Sequence, residues 1–193
     1  MSVVNVLLGV TGSVATIKLL ELIDKLKSSF EAKQLKCEIR VVFTSKSKHF
    51  CDPTALPSNV QSFTDEDEWG HWKQKGDPVV HIDLRRWADV FVVAPLSANT
   101  LAKLANGLSD NLLTCVARAW DVQKPFIVFP AMNTLMWEHA FTSRHIATIV
   151  ELGTVVVPPV SKELACGDTG VGALPPVDDV AKKVVEAARG ELG

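Results

Sequence analysis

The chain has 193 residues, a net charge of −2 and 47% apolar side chains; that is one domain, long enough for a full hydrophobic core. So balanced a charge gives no electrostatic capture of nucleic acid or anionic membrane, and no apolar stretch approaches the length of a membrane span. Tyrosine is absent, and the four cysteines (Cys37, Cys51, Cys115, Cys166) lack CxxC spacing and paired histidines, which favours reduced thiols in the cytoplasm over a disulfide frame or a zinc site.

The N-terminal residues are apolar without a basic leader segment, so 3–8 is predicted as strand one and not as a signal peptide. Gly9-Val-Thr-Gly12-Ser13 turns the chain, and 14–26 carries helical periodicity, with Ile17, Leu20, Ile23 and Leu26 on or near one face. Residues 37–43 read as strand two, 45–51 as a short helix, 60–63 as a short strand and 65–69 as an acidic helix start. A fully apolar strand is expected over 90–94, closed by Pro95, then a helix capped by Ser97-Ala-Asn-Thr100 and stopped at Gly107. A largely apolar helix (111–120), a strand (126–129), a mostly helical stretch (133–151) and a last strand (153–157) follow. The Gly- and Pro-rich segment 158–176 has no periodicity and is expected to be a functional flap or a disordered loop, before a closing helix over 177–189. Apolar runs alternating with amphipathic helices predict a doubly wound, Rossmann-like α/β fold: an open parallel sheet covered on both faces.

Chemistry-bearing residues gather at the ends of the predicted strands, where open α/β sheets keep their ligand sites. Gly12 and Ser13 end strand one, Ser45 ends strand two, and Ser97, Asn99 and Thr100 follow the 90–94 strand. Each reads either as a turn or helix cap or as part of a mononucleotide crevice, and three polar strand ends in one sheet favour the crevice. There is neither a GxGxxG fingerprint nor a P-loop lysine. Pro130-Ala-Met-Asn-Thr-Leu-Met-Trp137 puts an amide, two thioethers and an indole after the 126–129 strand. His81, in His81-Ile-Asp-Leu-Arg-Arg-Trp87, is either a satisfied surface histidine or a base active near neutral pH. Cys166 sits in Ala165-Cys-Gly-Asp-Thr-Gly-Val-Gly172, a setting for a thiol on a loop that opens and closes. Cys51 and Cys115, in apolar patterns, read as small hydrophobes. Arg85 and Arg86 read as ion-pair or subunit-contact residues.

Taken together, Gly9-Val-Thr-Gly-Ser-Val-Ala15, His81-Ile-Asp-Leu-Arg-Arg-Trp-Ala-Asp89, Ala94-Pro-Leu-Ser-Ala-Asn-Thr-Leu101, Asp110-Asn-Leu-Leu-Thr114, Pro130-Ala-Met-Asn-Thr-Leu-Met-Trp137 and Cys166-Gly-Asp-Thr-Gly-Val-Gly-Ala173 resemble the homo-oligomeric flavin-containing cysteine decarboxylases, in family order and over nearly the whole chain. The resemblance implies FMN as cofactor and decarboxylation of 4′-phosphopantothenoylcysteine to 4′-phosphopantetheine in coenzyme A biosynthesis. The implied route oxidises the cysteinyl end to a thioaldehyde, loses CO₂ and re-reduces the enethiol. It further implies His81 as base, Asn133 as the carboxylate-binding amide, Met136 and Ala165 as substrate-site residues, and Cys166 as proton donor. It places Gly12, Ser13, Ser45, Ser97, Asn99, Thr100 and Ala131 around FMN, makes 158–176 a flexible loop that covers the substrate, and implies a homotrimer, or an assembly of trimers, with FMN near a subunit boundary. Leu174 stands where the family pattern has Met, a volume-conserving change. Lys162, near the loop, is the candidate for the substrate phosphate. Two relatives by fold give alternative functions: a decarboxylase of peptidyl C-terminal cysteine, and a flavin-binding subunit that inhibits a protein phosphatase. No metal is implied.

Overall fold

A computed structural model describes residues 2–164, 167 and 169–191, with His71 described by its backbone alone. Six parallel strands, β1 (Val3–Val10), β2 (Lys36–Phe43), β3 (Gln61–Phe63), β4 (Val90–Leu96), β5 (Phe126–Pro130) and β6 (Val155–Val156), lie in the order β3-β2-β1-β4-β5-β6. The order reverses between β1 and β4, so the carboxyl ends of these two strands flank the crevice where such sheets take ligands.

Both faces of the sheet are covered because its central strands are apolar at successive positions. Side chains alternate between faces with period two. Leu8, Val41, Val92, Ile127 and Phe129 join one core; Leu7, Val42, Phe91, Val93 and Val128 join the other. The first core is closed by α1 (Leu19–Glu31), through Leu22, Ile23, Leu26 and Phe30, and by α8 (Val177–Ala188), through Val180, Ala181 and Val184. The second is closed by α3 (Val80–Trp87), α4 (Ala98–Asn106), α5 (Leu112–Arg118) and α7 (Ala140–Glu151), through Leu84, Leu101, Leu113, Val116 and Ile149. Every residue of β4 is buried, as a strand covered on both faces requires. The acidic stretch forms α2 (Asp65–His71).

The predicted elements occur in order, with α3 added where no helix was predicted and with five local differences. The helix expected over 14–26 begins as a 3-10 turn (Val14–Lys18) before α1, because Thr16 Oγ1 donates to the Thr11 carbonyl at 2.8 Å and holds the first turn tight. The short helix expected over 45–51 is a single 3-10 turn (Ser47–His49). β4 does not stop at Pro95: the ladder to β5 loses register between Val93 and Leu96, where proline has no N–H to give, and resumes at Leu96 opposite Pro130. The stretch 133–151 is two helices, α6 (Thr134–Glu138) and α7, separated by His139, which is extended and accepts the Phe141 amide on its ring nitrogen at 3.2 Å. Within 158–176, β7 (Val160–Glu163) and β8 (Thr169–Ala173) form an antiparallel hairpin where irregular chain was expected. All of β7 is exposed, so no hydrophobic alternation marks it as strand.

Candidate functional site

Thr11 and Thr44, both buried, stitch the strand ends that build the crevice. Thr11 Oγ1 donates to the Pro95 carbonyl at 2.8 Å and accepts the Ser97 amide at 2.8 Å, joining the ends of β1 and β4 across the switch point. Thr44 Oγ1 donates to the Val10 carbonyl at 3.2 Å and joins β2 to β1. Ser13 Oγ donates to the Ala131 carbonyl at 3.2 Å and fixes the first loop against the segment after β5. Ser97 caps α4, its Oγ accepting the Thr100 amide at 3.3 Å. These bonds leave a cavity of about 380 Å³ over the strand ends.

Nine sequence-predicted residues line that one cavity. Gly12, Ser13 and Ser45 come from the loops after β1 and β2, Ser97, Asn99 and Thr100 from the start of α4, and Ala131, Asn133 and Met136 from the segment after β5. Hydroxyls, amides and the N-terminus of α4 supply hydrogen-bond donors at one end, where an anion is stabilised by the helix dipole. Ala131, Met132 and Met136 supply an apolar wall. Gly12 has no room for a side chain: a Cβ there would lie 2.8 Å from Lys46 Cβ. Lys46, Phe50, Lys103 and Asn111 also line the cavity without having been predicted. Lys46 had a signal, since it follows Ser45 at a polar strand end; Lys103 is nearly two turns beyond the α4 cap, and its ammonium sits 2.6 Å from Asp110.

A second cavity of about 370 Å³ shares Ser13, Val14, Ala131, Met132 and Asn133 with the first, and its far side is made by β7, β8 and Leu174. The two spaces therefore share one wall, which includes Asn133, whose Oδ1 accepts the Leu135 amide at 2.9 Å and caps α6. The hairpin is tied down there: the Met132 amide donates to the Gly172 carbonyl at 2.9 Å. Lys162 lines this second cavity, as does Lys18, whose ammonium is 2.8 Å from Glu21.

The remaining predicted residues stand elsewhere. His81, on the first turn of α3, lines neither cavity of its own chain; its Nδ1 lies 2.5 Å from Glu68 Oε1. Ala165 and Cys166 lie outside the described residues. Arg85 Nε donates to the Ala119 carbonyl at 2.8 Å, so it bonds α3 to the end of α5 and not to a carboxylate. Burial pushes the Cys51 and Cys115 thiols up, with Asp52 adding to the first and Glu68, Asp65 and Asp110 to the second. Both are poor thiolates, in keeping with packing roles. A larger cavity of about 470 Å³, between the C-terminal ends of α4, α5 and α7, contains none of the predicted residues.

Comparison with known proteins matches residues 1–189 to the flavoprotein family. The chain is 57% identical over 170 residues to a phosphopantothenoylcysteine decarboxylase of Oryza sativa subsp. japonica, covering 88% of this chain and 74% of that protein. Its fold is similar, at a TM-score of 0.86 and 52% identity, to a cysteine-to-serine mutant of PPC decarboxylase complexed with pantothenoylaminoethenethiol, over 94% of this chain and 96% of that one. It is also similar, at a TM-score of 0.85 and 50% identity, to the FMN binding protein AtHal3, over 98% of both chains.

Proposed function

This chain belongs to the flavoprotein family, and from that premise we propose that it is an FMN-dependent decarboxylase converting 4′-phosphopantothenoylcysteine to 4′-phosphopantetheine in coenzyme A biosynthesis. The observation that carries the reading is the wall, Asn133 included, that a donor-lined cavity over the strand ends shares with a second cavity bounded by the β7–β8 hairpin. The first fits FMN: the hydroxyls and amides of Ser13, Ser45, Ser97, Asn99 and Thr100 suit its phosphate and polyol, and the Ala131–Met136 wall suits its ring. Bound FMN supplies reversible two-electron redox chemistry, so a substrate can be oxidised, lose CO₂ and be reduced again without an external reductant.

The chain's own residues position the substrate and move protons. Asn133, its oxygen held by the Leu135 amide, would donate through its nitrogen to the substrate carboxylate. Met136 shapes the wall beside it. Lys18 and Lys162 line the second cavity and would hold the substrate phosphate, with the hairpin excluding water. His81 would take a proton from the cysteinyl end as it is oxidised. Cys166 would return one to the product carbon.

His81 lines neither cavity of its own chain, so the reading includes a homotrimer in which the FMN site lies near a subunit boundary and His81 of the partner subunit completes it. Exposed apolar side chains support that assembly: Val14 and Ile17, which line the second cavity, and Leu20, Leu135 and Phe141. Cys37, Cys51 and Cys115 are free thiols, which fits a cytoplasmic setting.

The deciding experiment is CO₂ release by the purified protein from 4′-phosphopantothenoylcysteine, with the visible spectrum recorded in the same cuvette. Release by a yellow protein is expected. A yellow protein that releases nothing would instead favour peptidyl-cysteine decarboxylation or phosphatase regulation, and a colourless one would overturn the flavin site.

A further inference from the structure

The acidic run at the start of α2 is more than a solvated face. Asp65 Oδ1 accepts the Leu112 amide at 2.8 Å, at the start of α5. Asp67 Oδ2 accepts the Thr64 amide at 2.8 Å and caps α2 itself. Glu66 reaches Lys48. Glu68 turns both oxygens on one residue: Oε2 accepts the His81 backbone amide at 3.1 Å, and Oε1 lies 2.5 Å from His81 Nδ1. Its side chain is only 10% exposed, and that of His81 24%.

Two physical demands meet in this contact. First-turn amides of a helix have no partner within the helix, and Val79 offers α3 no side-chain cap; Glu68 supplies one from a neighbouring helix. A buried carboxylate is costly unless its oxygens are bonded, and the two His81 N–H groups satisfy it. An ionised carboxylate only accepts, so Nδ1 must carry the hydrogen. In the neutral ring the lone pair then lies on Nε2. The backbone bond and the ring bond together fix both the position of residue 81 and the rotation of its imidazole.

We infer that Glu68 is the positioning residue for His81, holding its imidazole as the Nδ1–H tautomer so that Nε2 is the proton acceptor. Its catalytic consequence rests on the function proposed above, in which His81 is the base. A carboxylate that orients an imidazole from its far nitrogen is a general device of acid–base sites, and removing such an outer partner from a ligating histidine typically costs about 10–100-fold.

The test is a cycle on the holoenzyme: Glu68→Gln, His81→Asn and the double variant, each assayed for CO₂ release. Glu68→Gln is expected to lower kcat about 10–100-fold with little change in KM, and to cost nothing further in the His81→Asn background. Glu68→Asp, which keeps the charge but falls short by one methylene, should be intermediate. An equal loss in both backgrounds would make Glu68 a structural cap only and overturn the inference. Nitrogen NMR of the histidine-labelled holoprotein decides the tautomer independently of activity: the signal absent from His81→Asn should report a protonated Nδ1 and a bare Nε2. If the protein releases no CO₂ the reaction assigned above fails, while this spectrum still supports or, with hydrogen on Nε2, overturns the Glu68–His81 assignment.

Discussion

The hydroxyl of Thr11 accepts the Ser97 amide at 2.8 Å while donating to the Pro95 carbonyl at the same distance, so one buried side chain sets the spacing of the two strand ends on which the crevice depends. Valine has nearly the same shape and cannot make either bond. Thr11→Val should leave a buried N–H and a buried C=O unpaired, at about 1–3 kcal/mol each. We expect urea denaturation to show a loss of about 2–6 kcal/mol, and FMN titration followed by absorbance to show weaker binding. Unchanged stability would mean that water replaces the hydroxyl.

Gly172 lies against Met132 so closely that a Cβ there would run into the Met132 carbonyl oxygen, and the adjoining Met132 amide is bonded to the Gly172 carbonyl. Gly172→Ala must push the hairpin off the segment after β5, since backbone on both sides cannot give way cheaply. Overpacking of this kind costs about 1–3 kcal/mol. The second cavity should loosen while the strand-end cavity is untouched. Steady-state kinetics should show KM for substrate raised about tenfold per 1.4 kcal/mol, with FMN content unchanged. Loss of flavin instead would place Gly172 in support of the first cavity.

Some of this site is legible in sequence because its local signals are strong. Gly12, Ser13, Ser45, Ser97, Asn99 and Thr100 are polar or small residues directly after apolar runs, a pattern that fixes their place at strand ends whatever the helices between them do. The hairpin was hidden because β7 is exposed at every position, so its pairing comes from backbone and from contact with the segment after β5. Helix α3 was hidden because Val80 and Leu84 are its only buried positions amid charged ones. The Glu68–His81 contact joins residues thirteen apart on two different helices, and no spacing rule predicts such a pair.

Cys37 gives a pH signature. Burial pushes its thiol up to about 12, with Lys27 opposing and Glu38 adding to the rise. The unfolded thiol ionises at about 8.5. Between the two values the folded chain keeps a proton that the unfolded chain releases, so stability is intact below the lower value and is lost as pH rises toward the upper one. The slope should be up to about 1.4 kcal/mol per pH unit. Comparing urea midpoints at about pH 8 and about pH 10, Cys37→Ala should show a shallower decline than the parent. Equal declines would mean that Cys37 ionises in the folded protein as readily as in the unfolded one.

His81→Asn separates chemistry from cofactor binding. His81 lines neither cavity of its own chain and its ring is tied to Glu68, so removing the imidazole should leave the FMN-binding residues of each chain in place. Asparagine can still offer its own amide to Glu68 but cannot accept a proton near neutral pH. The purified variant should be yellow and of parental assembly size by light scattering. CO₂ release should fall about 10²–10⁴-fold, the usual cost of losing a general base. Parental release would remove His81 from the reaction. A variant that loses both colour and assembly would show that His81 holds the subunits together, in which case the base must be sought among the residues that line the second cavity.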